Sequence, residues 1–404
     1  MTKSEIIETA FKVWGRNYYR KTSLSQLAGE LKVSKPALYR HFASKQVLTA
    51  SMTESFLDEF SSYISADFKH AQSAKDADEG IFSIIKSIAG FFAENPYSLI
   101  FSLMSIYDRD LNGNVIIEKL KIRGADIALL NTLINKKYHD SAVLARLTIA
   151  TLTFQVSFFH MSHNTLVNPL SSDDVGKLTV LINKTINVGL GYTLDHCALD
   201  FEKLETQVNT ELPDLQPEPF FKAVAEAVAE AGPWDVSMDM VAKKLGLSKS
   251  SLYVHFKNKK DMLRRLFVTE FKRIIAFARR GINFSGSAAE QLYLGIFSVS
   301  VYLRLRPEIL VAMDWIRTRK LDIGKTDKHI EIFRLFEDVN IELLKCRGAE
   351  KCETEKQMTS HWILFLLINI LTCPDDVFTG ACADSNSIRI LYKFILMGLG
   401  GFIK

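Results

Sequence analysis

Apolar residues recur at spacings of three and four along most of the chain, the spacing that places side chains on one face of an α-helix. Eight stretches show this period most clearly, four in each half of the sequence: Ile6–Trp14, Ile81–Phe92, Leu147–Phe159, Leu178–Leu190, Phe220–Val228, Leu292–Leu303, Ile363–Leu371 and Ile388–Phe394. No sustained alternation of apolar and polar residues, the pattern of a half-buried strand, interrupts them. The pattern therefore predicts an all-α protein.

The two halves of the sequence repeat one another. Ser23–Leu48 and Ser237–Met262 lie 214 residues apart and are identical at ten of 26 aligned positions. Two shorter pairs of similar segments follow in the same order, at offsets of 211 and 209. They are Asn95-Pro96 with Arg306-Pro307, and Val188–Gly191 with Met397–Gly400. The whole chain is therefore interpreted as a duplication of one unit of roughly 200 residues.

The join between the copies is predicted at Leu212–Pro219, where three prolines within seven residues favour an extended linker. The expected organisation has five parts. They are residues 1–50, a first helix-turn-helix domain; 51–208, a first helical regulatory domain; 209–219, a linker; 220–266, a second helix-turn-helix domain; and 267–404, a second helical regulatory domain.

The repeated segment reads as a helix-turn-helix. Ser23 followed by Gln26 forms a capping box, so a helix should begin at Leu24. Ser34 can cap a second helix that runs to about His41, after a tight turn of three or four residues. Pro36 is tolerated in that helix because the N–H groups of a first turn have no intrahelical acceptor.

Further caps complete the motif in both copies. Ser44 can cap the helix that follows the first motif, and the second copy has Ser237, Ser248 and Asn258 at its capping positions. Gly246 stands in the second turn, where a left-handed backbone is often required, and the first copy has Lys32 there. Two helix-turn-helix motifs are therefore predicted.

The second helix of the first motif presents a basic and aromatic outer face, while Leu38 and Phe42 point to the core. The outward positions are Lys35, Pro36, Ala37, Tyr39, Arg40, His41 and Lys45. Small residues permit close approach to a DNA groove, and the longer side chains reach phosphates and base edges. The alternative is an ordinary capped turn, because the same geometry occurs in proteins that do not bind DNA.

These motifs resemble the DNA-binding domain of the tetracycline-repressor (TetR) family. The resemblance rests on Thr22-Ser23, Leu27-Ala28, Val33–Lys35, Leu38-Tyr39, His41-Phe42 and Ser44-Lys45, and in the second copy on Gly232, Ser237, Val241-Ala242, Gly246–Lys249, Leu252-Tyr253, His255-Phe256 and Lys259. It implies, for each half, a three-helix DNA-binding head and a helical body that binds a ligand and dimerises. The fold expected is two tandem TetR-like units that form an intrachain pseudo-dimer.

The resemblance also implies which residues face DNA. The first set is Thr22, Ser23, Ser34, Lys35, Pro36, Ala37, Tyr39, Arg40, His41 and Lys45; the second is Ser237, Ser248, Lys249, Ser250, Ser251, Tyr253, His255 and Lys259. Lys45 and Lys259 would hold phosphate at the N-terminus of the next helix, where the helix dipole helps.

The charge distribution agrees with two contacts to a polyanion. Residues 1–50 contain nine Lys and Arg against three Asp and Glu, and residues 217–283 contain thirteen against seven. The rest of the chain carries about −8, by difference from the net charge of +4. Two basic segments on an acidic body suit two DNA contacts better than one diffuse attraction.

Composition narrows the class of protein further. With 48% hydrophobic and 24% charged residues, the 404-residue chain is typical of a soluble globular protein of more than one domain. The N-terminus lacks the apolar region of a signal peptide, and the longest apolar run, Trp362–Cys373, is too short to span a bilayer. A cytoplasmic protein without a membrane partner is expected. Five cysteines without a CxxC pair indicate reduced thiols.

The sequence gives only weak indications of a metal site, a phosphate loop or a catalytic site. His160 and His163 have a spacing that can ligate a metal, but no Cys or carboxylate motif accompanies them, so core or interface histidines are expected. The glycines of the short Gly-Leu-Gly segments are interpreted as close-packing positions, not as phosphate loops. No nucleophile–base pair is found, so neither an enzyme nor a cofactor is expected.

Aromatic stripes in each half could line a pocket for a small apolar effector, although such stripes are more often plain core. The candidates are Phe92, Tyr97, Phe101, Met104 and Tyr107 in the first half, and Phe297, Tyr302, Met313 and Trp315 in the second.

We therefore expect a sequence-specific DNA-binding transcriptional regulator, a repressor by family resemblance. The expected dimer-forming helix pairs are joined in one chain: Ala145–Met161 with Asp174–Tyr192, and Lys356–Cys373 with Asn386–Ile403. A monomer would thus present two non-identical heads to double-stranded DNA with unlike half-sites. The alternative is a ligand-sensing or protein-interaction module whose heads no longer grip DNA.

Overall fold

The structure is a computed structural model that describes residues 2–17, 23–106, 113–162, 168–193, 198–210, 218–310, 335–336, 352–372 and 384–404. Helices account for nearly all of these residues. Across the described ranges there is no strand, only an isolated antiparallel bridge between Tyr138 and Ile403. The all-α prediction is confirmed.

The first half of the chain contains eleven helices within the described residues. They are α1 (Lys3–Asn17), α2 (Leu24–Glu30), α3 (Lys35–His41), α4 (Lys45–Ser73), α5 (Ala77–Glu94), α6 (Pro96–Ile106), α7 (Gly113–Ile122), α8 (Ala128–Lys137), α9 (Ser141–Ser162), α10 (Ser172–Val188) and α11 (Phe201–Thr210).

The second half repeats the order of the first. Its helices are α12 (Pro219–Asp235), α13 (Met238–Leu245), α14 (Lys249–His255), α15 (Lys259–Ile282), α16 (Ala288–Leu305), α17 (Cys352–Thr372) and α18 (Ser385–Met397), followed by a 3-10 turn at Gly398–Phe402. A further helix begins at Pro307, as α6 begins at Pro96. All eight periodic stretches lie in helices, although α10 ends at Val188 and not at Leu190 because Gly189 takes a left-handed φ of 57°.

We call α1–α3 the first head and α12–α14 the second head. The first head closes over buried Ile6, Trp14, Leu27 and Leu38, all at most 3% exposed. The long helix α4 leaves it and packs along α5. The second head is built on Val224, Val241 and Leu252 in the same way, and α15 leaves it to pack along α16. Each head therefore shares one long helix with the body of its own half.

The chain divides into two compact units. The first contains the described residues up to Ile186 together with Ile403 and Lys404, and the second contains the described residues from Asn187 to Phe402. Within the first unit, the backbone N–H of Lys404 donates to the carbonyl of Lys137 at 3.0 Å. The last residues of the sequence thus belong to the unit formed by its first half.

The division differs from the boundary expected at a linker of residues 209–219. Thr210 ends α11 and Pro219 begins α12, and residues 211–217 lie outside the described part of the chain. α11 belongs to the second unit because Leu204 and Val208 are buried there and Glu205 binds Tyr293 and Arg389. The Glu205 carboxylate accepts from Arg389 at 2.8 and 3.0 Å, which is a bidentate pair.

The Gly-Leu-Gly segments meet inside the second unit. A Cβ atom on Gly189 would lie 2.5 Å from the carbonyl oxygen of Ile395 and 2.7 Å from the nitrogen of Gly398, so only glycine fits. The N–H of Leu190 donates to that same carbonyl at 2.9 Å. The interpretation as close-packing positions is confirmed for Gly189 and for Gly400, where a Cβ atom would lie 3.0 Å from the carbonyl oxygen of Asn187. It is not confirmed for Gly191, where a Cβ atom would meet only Val188 Cγ1 at 3.9 Å.

Candidate nucleic-acid interface

The first helix-turn-helix forms as its caps predict. Both halves of the capping box are present: the N–H of Gln26 donates to Ser23 Oγ at 3.2 Å, and the N–H of Ser23 donates to Gln26 Oε1 at 2.7 Å. Ser34 caps α3 and Ser44 caps α4, each by accepting from the backbone N–H three residues later. These contacts fix the residue at which each helix begins.

The second motif repeats this arrangement. The side chains of Ser237, Ser248 and Asn258 accept from backbone N–H groups three residues later, at 3.2, 3.1 and 2.9 Å. The turn between the helices is left-handed in both copies, with φ of 65° at Gly246 and 55° at Lys32. A non-glycine residue in that conformation costs about 1 kcal/mol. The sequence predictions for both turns are confirmed.

The outward faces of α3 and α14, which we call the recognition helices, expose polar and aromatic side chains. Leu38 and Leu252 are fully buried, whereas Tyr39 and Tyr253 are 46% and 49% exposed. Lys35, Pro36, Arg40, Ser23 and Ser34 are exposed in the first head, and Ser248, Lys249, Ser250 and His255 in the second. Ala37, His41, Lys45, Ser237, Ser251 and Lys259 are half-buried, and Thr22 lies outside the described residues. That these residues contact DNA stays a prediction.

Lys45, at the start of α4, lies beside an aromatic ring. Lys45 Nζ lies 5.8 Å from the centre of the Trp14 ring, which orients its ammonium group near the N-terminus of α4. In the second head, His255 lies beside the ring of Phe220, with centroids 5.6 Å apart. These contacts place Lys45 against α1 of the first head and His255, the last residue of α14, against α12 of the second head.

One acidic residue beside the second recognition helix was not among the residues predicted from the sequence. Asp239, in the first turn of α13, pairs with Lys249 at 3.0 Å. A hydrogen bond from Lys249 to this carboxylate, and then its charge, raise the pKa of the lysine above its ordinary value. An alignment of the two copies shows that this carboxylate is present only in the second head, because Ser25 stands at the corresponding position of the first head.

The comparison with known protein families agrees with this geometry. A model of the family described as "Bacterial regulatory proteins, tetR family" matches residues 6–52 and again residues 221–266. Both heads are DNA-binding domains of the TetR family. The two matches cover the two heads and show that the TetR domain is present in tandem.

Known proteins similar to this chain include a curated regulator and a solved structure. An uncharacterized HTH-type transcriptional regulator, YuxN of Bacillus subtilis (strain 168), is 43% identical over 53 residues, which are 13% of this chain and 18% of the relative. The chain thus spans less than a fifth of that relative. A TetR-family transcriptional regulator of known structure, PfmR from Thermus thermophilus, is 21% identical over 44% of this chain and 95% of its own, with a TM-score of 0.35, too low to support an inference.

Two of the candidate pocket residues of the first unit, Phe92 and Phe101, lie in a packed group of rings. We call this group the phenylalanine cluster: Phe56, Phe60, Phe91, Phe92 and Phe101. Phe92 stacks on Phe60 at 5.5 Å, and Phe101 meets Phe11 of the first head edge-on at 4.9 Å. Tyr97, in α6, is half-buried, while the side chain of Met104 and residue Tyr107 lie outside the described part. The cluster therefore connects the body of this unit to α1 of its head.

The corresponding place in the second unit is charged. Glu270 and Tyr302 stand where the first unit has Phe56 and Phe91, at the offsets of 214 and 211. The Tyr302 hydroxyl donates to Glu270 Oε2 at 2.7 Å, and burial, together with this carboxylate, raises the pKa of Tyr302 well above its ordinary value. Phe297 stacks on Tyr293 at 5.9 Å, and Met313 and Trp315 lie outside the described residues.

Arg306 completes this charged group. Its side chain is almost fully buried, its Nη1 lies 3.3 Å from Glu270 Oε2, and its Nε donates to Glu308 Oε1 at 2.5 Å. Arg273 Nη1 reaches Glu270 Oε1 at 3.2 Å. The sequence reasoning missed this group, because it selected aromatic residues alone.

The remaining candidates are structural or apolar. His160 is fully buried, and its Nε2 lies 3.2 Å from the carbonyl oxygen of Phe92, as expected of a core histidine; His163 lies outside the described residues. Among the residues that the structure describes, no three His, Cys, Asp or Glu side chains gather as metal ligands. Ser141–His160 is long and apolar enough to cross a membrane by length and composition, and 67% of its most apolar window is buried within the protein.

Proposed function

We propose that this TetR-family protein is a sequence-specific transcriptional regulator that binds double-stranded DNA with both heads of a single chain and represses the genes it controls. The observation that carries the proposal is the repetition of one capped helix-turn-helix whose Lys, Tyr and His positions are kept and whose tyrosines are half-exposed in both copies. The matches of the family model to both heads support it.

Affinity would come from phosphate contacts. Lys45 and Lys259 stand at the first position of α4 and α15, where the helix dipole favours an anion. Lys35 and Lys249 stand at the first position of the recognition helices. Such contacts position a protein on DNA without reading its sequence.

Specificity would come from the positions that differ. Pro36 and Ala37 offer apolar contacts, for instance to a thymine methyl group, whereas Ser250 and Ser251 offer hydroxyls that donate or accept. A symmetric homodimer reads a palindrome, but one chain with two different heads does not have to. We therefore propose an operator with two unlike half-sites.

Regulation would act through the bodies. The phenylalanine cluster is a suitable apolar environment for a small apolar effector in the first unit, and the contact between Phe101 and Phe11 offers a route from that body to α1. The helix pairs expected to dimerise would pack within the chain as a pseudo-dimer. Acting on DNA, the protein would work in the cytoplasm as a regulator and not as an enzyme.

The test is a gel shift of the full chain on the DNA upstream of its own gene, with titration of salt. We expect a discrete complex that persists at higher salt concentrations than the complexes with unrelated duplexes. The logarithm of the affinity should fall linearly with the logarithm of the salt concentration. Equal binding to unrelated sequences would favour a protein-interaction or ligand-sensing module with degenerate heads.

A further inference from the structure

The two recognition helices begin with the same lysine in different electrostatic surroundings. Lys249 Nζ lies 3.0 Å from Asp239 Oδ2, and about half of each side chain is exposed, 53% and 54%. In the first head the corresponding residues are Lys35 and Ser25. Within the described part of the chain, no carboxylate pairs with Lys35. One lysine is therefore available to phosphate, while the other already has an anionic partner.

A second difference points the same way. The outward position held by Arg40 in α3 is held by Val254 in α14, where the valine is 83% exposed. The second head has its additional cations elsewhere. Lys257, just before α15, and Lys260, in the first turn of α15, stand where the first head has Ala43 and Gln46. Compared with the first head, the second head has fewer cations on its recognition helix and more around the beginning of the next helix.

We propose that the two heads are unequal readers of DNA and that Asp239 sets the difference. The first head inserts a recognition helix with two cations, Lys35 and Arg40, into the groove. The second head is anchored on phosphate by the start of α15 and reads through hydroxyl and apolar contacts. This inference rests on the proposed function.

The physical reason lies in what Asp239 does to a nearby phosphate. To bind phosphate fully, Lys249 must give up part of its pairing with the carboxylate. The carboxylate also repels phosphates within a Debye length, about 8 Å at physiological salt. Because the pair is half-exposed, its contribution to folding is small, so Asp239 can be replaced without loss of the head.

The experiment compares matched substitutions in the full chain on one random-sequence duplex, by fluorescence anisotropy at several salt concentrations. Lys35→Ala should weaken binding about tenfold and reduce the salt slope by about one, as expected for one lost phosphate contact. Lys249→Ala should weaken it only about twofold. Asp239→Ser should strengthen binding severalfold and steepen the slope, and Lys249→Ala added to it should then cost about as much as Lys35→Ala.

The reciprocal change, Ser25→Asp, should weaken DNA binding by the first head. In that background, Lys35→Ala should reduce the affinity as little as Lys249→Ala does in the wild type. Thermal unfolding of each variant checks that the heads stay folded. Equal losses for Lys35→Ala and Lys249→Ala, with no gain from Asp239→Ser, would overturn this inference alone. A wild-type chain that binds no duplex at all would overturn the proposed function and this inference with it.

Discussion

The buried ion pair of the second unit predicts a large and specific loss of stability. Glu270 is completely buried, and its carboxylate is paired with Arg306, which is 3% exposed, and with Arg273, whose side chain is 38% exposed. The perturbation is Arg306→Met, which keeps most of the side-chain length and removes the charge. It leaves Glu270 buried with the Tyr302 hydroxyl and the more exposed Arg273, and it also removes the partner of Glu308, whose side chain is 15% exposed.

The magnitude follows from that burial. Removing one partner of a buried ion pair costs about 3–5 kcal/mol, because the remaining charge stays desolvated. For a domain of about 200 residues, 1 kcal/mol lowers the unfolding temperature by roughly 2–4 °C. The calorimetric transition that contains the second unit should therefore fall by roughly 6–20 °C, while the transition of the first unit stays in place.

Two controls separate the charge from the packing. Arg273→Met removes the more exposed partner and should cost less than about 1 kcal/mol, the usual range for an ion pair in contact with solvent. Glu270→Met combined with Arg306→Met removes both charges and should recover most of the loss, because a well-packed apolar pair is often as stable as a buried ion pair. The reasoning is refuted if Arg306→Met leaves the transition within about 2 °C of the wild type, or if the double variant is no more stable than the single one.

Three further predictions concern assembly, phosphate contacts and pH. By light scattering, the protein should be a monomer of about 45.7 kDa that binds DNA as a single chain, and an obligate dimer would contradict the pseudo-dimer. Lys45→Ala or Lys259→Ala should weaken anisotropy-measured binding to all sequences alike and lower the salt slope by about one, whereas an unchanged slope would mean that these lysines contact no phosphate. Burial, and then Glu94, raise the pKa of Tyr63 to about 12 from an ordinary 10.0, so its stabilising neutral form is lost as pH rises from 10 to 12. Urea midpoints should fall across that interval less in Tyr63→Phe than in the wild type, and equal falls would exclude this role.

Local chemistry made the heads predictable from sequence. A capping serine, its partner three residues later and the first turn of the helix lie within one short segment, so Ser23 with Gln26 defines the start of α2 without knowledge of the rest of the fold. The left-handed turn at Gly246 is equally local. Because the whole motif occurs twice, each copy also tests the interpretation of the other.

Long-range electrostatics were not predictable in the same way. Glu205 and Arg389 are 184 residues apart, and no pattern in either segment indicates that the two side chains meet. Their pairing also explains why α11 joins the second unit, against the boundary expected from the prolines. The sequence could have indicated that Glu270 is a buried charge, since it lies in an otherwise apolar helical stripe. Its partners could not be predicted, because they depend on how α15 packs on α16.

Selection of bound sequences from random DNA by the full chain tests the central claim most directly. Two different heads on one chain should enrich a site with two unlike half-sites whose centres lie about one helical turn, roughly 34–36 Å, or a multiple of it apart. Enrichment of a perfect palindrome would contradict the claim that the differing residues of α3 and α14 read sequence. Failure to enrich any site would contradict sequence-specific binding itself.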